Sequence, residues 1–291
     1  MIDLSVIIVN WNTRDLLVRC LNSITQVTQR MKAEIFVVDN RSSDESGRTV
    51  KERFSQVILI ENETNLGFAG ANNQALRRSK GNYLLLLNPD TQVKEEPIQK
   101  LISLMDAHPD VGITGVQLLN SDGSKQNSIA NFPSLATELL NKSLLRWLSP
   151  GKFPGKEKDY PEPIEVDSVI GACTDWCYRM KRAGWKIYHV PDAEVYHFQG
   201  KSAEKEKKRA RVEYFRSRYH FFKKNKGNLQ WFILLAGVLI RLGCELFFAS
   251  AINLFTFFSI RKWRKKLSVY AYLLWWHLKG CPKGMGLEPV Q

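Results

Sequence analysis

Asp39, Asp90 and His197 stand where three short apolar stretches end, at Glu34–Val38, Tyr83–Leu87 and Ala193–His197. Runs this short, bounded by turn residues, read as buried strands. In an open α/β sheet, ligands collect outside the carboxyl ends of the strands. Asp90, in Asn88-Pro89-Asp90-Thr91, offers a hard oxygen ligand to a Mg²⁺ or Mn²⁺ ion bridging a diphosphate. Mg²⁺ takes one or two protein carboxylates and leaves its other positions to phosphate oxygens and water. The same tetrapeptide also spells a common turn after a strand. Asp39 can accept the N3–H of uracil or thymine, and would serve equally as a turn or helix-capping aspartate. His197 becomes a metal ligand only if the fold carries it to Asp90. A lone histidine otherwise packs or hydrogen-bonds.

Two weaker signals lie beside these. Asn10 and Trp11 end the first apolar run, Leu4–Val9, so Trp11 can stack on a base held by Asp39 or simply join the core. The segment Asn65–Asn73, with Asn65, Gly67 and Asn72 as candidate contacts, puts glycines at a helix entrance, as phosphate and ribose sites do. Neither a G-x-G-x-x-G fingerprint nor a P-loop occurs. The five cysteines (Cys20, Cys173, Cys177, Cys244 and Cys281) form no C-x-x-C pair and read as packing thiols in a reducing, cytoplasmic setting.

Something must hold these residues together. Strand runs at Leu4–Val9, Glu34–Val38, Gln56–Ile60, Tyr83–Leu87 and Val111–Leu118 alternate with helical patterns near Asp15–Val27, from Ser42-Ser43-Asp44-Glu45, after Asn65, and at Glu95–Ala107. That alternation predicts an α/β fold with a doubly wound, mostly parallel sheet. Residues 120–165 are poor in pattern and predict loops with one short helix near Leu135–Trp147. Order returns at Val166–Ala172, a helix over Asp175–Ala183, and two strands, Lys186–Val190 and Ala193–His197.

These stretches occur in an order that closely resembles glycosyltransferase family 2, its rhamnosyltransferase-like branch, which has the GT-A fold. The likeness rests on Ser5–Asn12, Val37-Val38-Asp39-Asn40-Arg41-Ser42-Ser43-Asp44, Asn65–Asn73, Leu87-Asn88-Pro89-Asp90-Thr91 and Gly184–Ser202, and runs over nearly all of residues 1–225. It implies that Asp39 binds the pyrimidine of a dTDP- or UDP-sugar. Asp90 would hold the last position of the D-x-D metal motif, and His197 would be the downstream ligand of the same Mg²⁺ or Mn²⁺. Arg216, Arg218 and Tyr219 fall in the basic segment that follows the catalytic domain. One departure stands out. Family members carry a loop with G-G-F-D-like residues and an acidic pair that supplies the general base, between a Gly-Ala strand end and a D-W-C-x-R-like helix. Here Gly171-Ala172-Cys173 runs directly into Thr174-Asp175-Trp176-Cys177-Tyr178-Arg179. Asp175 matches the second acidic position of that motif and is the one candidate left to substitute as base.

The formal charge of +13 is unevenly placed. Residues 1–200 hold 23 Lys+Arg and 24 Asp+Glu, a net of −1, while residues 201–291 hold 19 and 5, a net of +14. This predicts a GT-A domain over 1–200 and a basic, apolar helical region over 201–291. In the latter, Leu229–Ile240 and Leu246–Ile260 are 12 and 15 uncharged residues, each short of the roughly 20 that span a bilayer. Arg241 and Glu245, spaced i,i+4, are expected to pair between them. Basic clusters Lys223–Lys226 and Arg261–Lys266 flank the runs, which predicts a hairpin or interfacial helix pair on the cytoplasmic face of the membrane, peripheral or hairpin-inserted. A buried helical subdomain is the alternative, and nucleic-acid binding fits poorly beside long apolar runs.

The resemblance therefore implies an inverting transferase that moves rhamnose or a related sugar from a dTDP- or UDP-sugar to a lipid-linked or polysaccharide acceptor. The shortened segment raises a second expectation: a sugar-nucleotide-binding or scaffold protein with impaired catalysis. A sugar-nucleotide pyrophosphorylase would want a Gly-rich basic loop where Asn10-Trp11-Asn12-Thr13 stands.

Overall fold

The computed structural model describes residues 2–153, 158–171, 174–198 and 207–286. In chain order the elements are β1 (Ile2–Asn10), α1 (Arg14–Thr28), β2 (Ala33–Asp39), α2 (Ser46–Arg53), β3 (Val57–Glu61), α3 (Gly67–Leu76), β4 (Gly81–Leu87), β5 (Thr91–Gln92), α4 (Glu95–Ala107), β6 (Val111–Leu119), β7 (Ile129–Ala130), α5 (Leu135–Leu139), α6 (Lys142–Leu148), β8 (Ile164–Glu165), β9 (Ser168–Val169), α7 (Thr174–Arg182), β10 (Lys186–His197), α8 (Lys207–Asn225), α9 (Asn228–Phe255) and α10 (Arg261–Leu278). They divide into two compact units, Met1–Phe132 with Pro154–Ser202, and Pro133–Phe153 with Ala203–Gln291.

The first unit is the expected α/β layer structure. Four parallel strands run in the order β3-β2-β1-β4. The β-branched runs of the two central strands, Val6–Ile8 and Ile35–Val38, are buried, as strands covered on both faces must be, while β3 and β4 at the edges are only partly covered. Leu17, Leu21 and Ile24 from the inward stripe of α1 pack against Leu4, Val6 and Ile8 of β1 in one cluster. A second sheet has the order β5-β10-β6, with β6 parallel and β5 antiparallel to β10, and β8 pairing antiparallel to β10. β4 and β6 do not pair. Apolar side chains of β4, α4 and β6 line a cavity of about 290 Å³ instead, with Asn88 and His197 also in its lining.

Two expectations change here. Lys186–Val190 and Ala193–His197 form one strand, because the ladder to β6 resumes beyond an irregularity between Val190 and Glu194. Pro191, which has no N–H to give, sits in that irregularity, where a sheet tolerates it. The region 120–165 contains two short helices, α5 and α6, instead of one. Ala172 and Cys173, at the end of the strand expected over Val166–Ala172, lie outside the described residues.

Gly81 shows how tightly β4 meets β1. A Cβ there would lie 2.5 Å from the Ser5 backbone nitrogen, an atom that cannot swing aside. Gly81→Ala is expected to lower stability by about 1–3 kcal/mol. Urea denaturation reads this as a lower midpoint with the slope unchanged.

The second unit is helical. Along α9 the buried residues Leu234, Val238, Leu242, Ala249 and Asn253 share one face, the repeat of an amphipathic helix. α9 and α10 pack on each other as a helical hairpin. The two apolar runs read as separate segments are thus mostly one continuous 28-residue helix through Arg241 and Glu245. Arg241 does not pair with Glu245. Its Nη1 donates to the Glu138 carbonyl of α5 at 2.8 Å, while Glu245 lies beside Tyr270. The neighbouring helix α5 offered Arg241 a carbonyl left over at a helix end, and the guanidinium took it in place of the i,i+4 carboxylate.

Candidate active site

Strand order builds this site. In the parallel register Asn10 lies opposite Asp39, and Leu87, the last residue of β4, lies opposite Ile8. The ends of β2, β1 and β4 therefore stand side by side on one sheet edge. They carry Asp39, then Asn10 and Trp11, then Asn88–Asp90. With strands spaced ~4.8 Å apart, Asp39 and Asp90 emerge roughly 10 Å from each other.

At the β2 end, Asp39 is buried and its carboxylate is fixed at both oxygens. Asn10 Nδ2 donates to Oδ1 at 2.9 Å, and the Ser42 N–H to Oδ2 at 2.8 Å. Each oxygen keeps a second lone pair for a ligand donor. The bond to Ser42 is the turn-aspartate role, and it leaves lone pairs for the other. Trp11 is half-buried beside them. Asn12 holds a left-handed backbone and its Oδ1 accepts the Ser43 N–H at 2.7 Å, tying the two strand-end loops together.

The loop before α3 is tied to the same edge. The Asn40 side chain accepts the Leu66 N–H at 3.4 Å and donates to the Gly67 carbonyl at 3.3 Å, while the Gly67 N–H goes to Asn65 Oδ1 at 2.9 Å. Gly67 has φ +70°, a conformation that suits glycine. Asn72 is buried on α3 and donates back to the Phe68 carbonyl at 2.8 Å, a bond within the helix.

Asp90 and His197 do come together, and backbone pairing brings them. His197 lies opposite Thr91 in the β10–β5 ladder, and the Phe198 N–H donates to the Asp90 carbonyl at 2.8 Å. His197 Nε2 then stands 3.2 Å from Asp90 Oδ1 and 3.5 Å from Asn88 Nδ2. On the other side of the ring, Nδ1 lies 3.0 Å from Gln126 Oε1. Gln126 is buried, and its Nε2 faces three acceptors: the His197 carbonyl at 2.6 Å, Asn120 Oδ1 at 2.8 Å and the Leu119 carbonyl at 3.2 Å. Sequence reasoning missed Gln126, which sits in the poorly patterned stretch after residue 120. Beneath the turn, burial pushes the Cys20 thiol up to about 12, so it stays a neutral packing group against the Asn88 carbonyl.

The residues at this edge fit a divalent cation. If Nδ1 donates to Gln126, a neutral imidazole turns the lone pair of Nε2 toward a carboxylate oxygen. Two acceptors 3.2 Å apart repel unless a cation or a proton lies between them. Among the described residues no cluster of three or more His, Cys, Asp or Glu side chains could hold a metal. A Mg²⁺ or Mn²⁺ here would take Asp90 and His197 from the protein and leave room for phosphate oxygens.

Asp175, near the start of α7, is held by Arg179: its Oδ2 accepts from Nε at 3.0 Å. Between Gly171 and Thr174 stand only Ala172 and Cys173, and no acidic pair intervenes. Cys173 itself lies outside the described residues.

Residues 5–174 match the sequence model of glycosyl transferase family 2. The chain belongs to this family. An N-acetylglucosaminyl-diphospho-decaprenol L-rhamnosyltransferase of Mycobacterium tuberculosis is 23% identical over 256 residues, covering 75% of this chain and 83% of that protein. A poly(ribitol-phosphate) beta-glucosyltransferase of Bacillus spizizenii is 24% identical over 222 residues, covering 66% of this chain. The alignment spans only 35% of that longer protein. Among solved structures, a mannosyltransferase from Pyrobaculum calidifontis in complex with GDP-Man and Mn²⁺ aligns over 96% of this chain and 88% of its own, with 16% identity and a TM-score of 0.49.

Proposed function

We propose that this protein is an inverting glycosyltransferase that binds a dTDP- or UDP-sugar with Mg²⁺ or Mn²⁺. The acceptor is a polyprenyl-diphosphate-linked or polysaccharide glycan. One observation carries the reading: strand order sets a buried carboxylate, Asp39, and the Asp90–His197 pair about 10 Å apart on one sheet edge. That is the span of a nucleoside with its diphosphate. Asn10 and Ser42 orient Asp39 toward the base, Trp11 and Asn65–Gly67 flank it, and Asp90 with His197 holds the metal. When bound, that metal neutralises the leaving diphosphate. Rhamnose as the transferred sugar, and a lipid diphosphate as acceptor, draw support from what the mycobacterial relative's name says of that protein.

The base is the weak point of this site. Proton removal from the acceptor hydroxyl is typically worth about 10²–10⁴-fold. The one carboxylate retained from the motif, Asp175, is engaged by Arg179. This favours a second reading, in which the chain binds donor nucleotide and turns it over slowly or not at all. Transfer of labelled sugar from dTDP-rhamnose to a polyprenyl-diphosphate-linked acceptor decides between them. Transfer above the metal-free background supports the enzyme. Tight nucleotide binding with no transfer supports the scaffold, and absence of both overturns the donor site.

Asp39→Asn tests the base-recognition role. The amide keeps the turn but offers its NH₂ or a single carbonyl where a carboxylate stood. Affinity for UDP and dTDP is expected to fall by about 1.5–3 kcal/mol, the worth of a hydrogen bond to a charged group. Calorimetry with UDP and ADP reads it as a loss of pyrimidine preference.

We also place the second unit at the cytoplasmic face of the membrane, lying in the interface. α9 is long and apolar enough to cross a bilayer. Crossing would carry Arg241, Glu138 and Arg218, which this unit packs together, into hydrocarbon at considerable expense.

A further inference from the structure

We propose that Gln126 is a positioning residue that decides which nitrogen of His197 faces Asp90, and that divalent-cation affinity at this edge depends on it. The inference rests on the metal reading given above.

A glutamine amide has an acceptor end and a donor end, and a flip would exchange them. Here three acceptors remove that freedom. The His197 carbonyl, Asn120 Oδ1 and the Leu119 carbonyl surround one end of the Gln126 amide at 2.6, 2.8 and 3.2 Å. Only the NH₂ can face them, since an oxygen there would meet three other oxygens in a buried place. Asn120 is itself oriented, because its own NH₂ donates to Ser124 Oγ at 2.8 Å. Oε1 of Gln126 is therefore the atom 3.0 Å from His197 Nδ1.

Oε1 accepts and cannot donate, so Nδ1 must carry the proton. Neutral His197 then has its lone pair on Nε2, which points at Asp90 Oδ1, 3.2 Å away. The other tautomer would set two lone pairs against each other at the buried Gln126 contact, and would present an N–H to Asp90 that no cation can use. One carboxamide thus does two things. Its donor end fastens the β10 terminus through the His197 carbonyl, and its acceptor end selects the ring nitrogen left bare for a metal. Outer partners of this kind set ligand tautomer and basicity, and losing them commonly costs about 10–100-fold in metal affinity.

Two substitutions separate these roles. Gln126→Leu loses both ends of the amide. Asn120→Ala loosens the donor end and leaves the acceptor for Nδ1–H. Ring-nitrogen NMR of ¹⁵N-histidine-labelled protein above pH 8, with Mg²⁺ and dTDP present, reads the tautomer, with His197→Asn assigning the signal. Electron paramagnetic resonance of free Mn²⁺, titrated in the presence of dTDP, reads affinity. The expected result is the Nδ1–H form in wild type and Asn120→Ala, with Mn²⁺ affinities within a few fold of each other. In Gln126→Leu the Nε2–H form appears and the Mn²⁺ dissociation constant rises about 10–100-fold. An Nε2–H ring in the wild type overturns the proposal. So does a Gln126→Leu protein with unchanged tautomer and affinity, or an Asn120→Ala protein as impaired as Gln126→Leu, which would make Gln126 a structural fastener alone. A wild type that binds no Mn²⁺ in the presence of dTDP overturns the metal reading itself, and the affinity half of this proposal with it.

Discussion

Asp90→Asn is expected to abolish metal-dependent nucleotide binding. In calorimetric titrations of dTDP and UDP, the wild type is expected to bind far more tightly with Mn²⁺ than without, and the variant equally weakly in both. A bound cation facing a diphosphate contributes several kcal/mol, so at about 1.4 kcal/mol per decade the loss is on the order of 10³-fold. Without metal the order reverses: the wild-type carboxylate repels the diphosphate and the amide does not, so Asp90→Asn binds slightly better. That inversion separates loss of a ligand from loss of a pocket. The fold should not suffer, because the anchoring bond from Phe198 N–H ends on the Asp90 backbone carbonyl, which the substitution keeps. A wild type whose dTDP affinity ignores Mn²⁺ sinks the metal assignment, and a variant that retains the Mn²⁺ effect moves the ion elsewhere.

What the sequence made legible follows from how local each signal is. The helix α4 was readable to the residue, because Pro97, Ile98, Leu101 and Ile102 set a helical repeat that nothing tertiary overrides. Strands β1 to β4 were readable from apolar runs, and their parallel direction from the helices between them. The Asp90–His197 pair was not readable from spacing. A two-residue strand, β5, brings them together, and two residues carry no periodicity. Family resemblance supplied the pairing where pattern could not. Gln126 was silent for the same reason: its worth comes from four bonds to partners on two segments, Leu119–Asn120 and His197, which carry no periodic signal. Arg241 shows a local rule losing outright. Spacing offered it Glu245, but packing of α5 on α9, close enough that a Cβ on Gly237 would meet Leu139 at 2.7 Å, offered the Glu138 carbonyl instead.

Reversing the charge of Arg261, Lys262, Arg264 and Lys265 to glutamate should detach the protein from anionic vesicles. These four exposed side chains open α10, directly after an apolar bend at the tip of the hairpin. Each Lys or Arg at an anionic surface is worth about 1 kcal/mol. Their loss alone removes some 10³-fold in partitioning, and reversal removes more. The bend itself supplies the apolar share. Phe255 and Phe257 are 88% and 89% exposed, a large cost in water that a bilayer interface relieves. Phe257 and Phe258 also hold left-handed backbone, at φ +45° and +57°, which bulky residues rarely adopt. Asparagine tolerates that conformation better, so Phe257→Asn has opposite signs in two assays. It should raise the urea midpoint in solution by relieving strain of about 1–3 kcal/mol, and lower cosedimentation with phosphatidylglycerol vesicles by removing an inserting ring. A residue serving the fold alone would move both readouts the same way. Binding that is equal on phosphatidylcholine and phosphatidylglycerol, and indifferent to salt across a Debye length of ~8 Å, would leave the basic cluster without its anionic partner. The hairpin would then be a packing module, and the acceptor would have to reach Asp90 and His197 from solution.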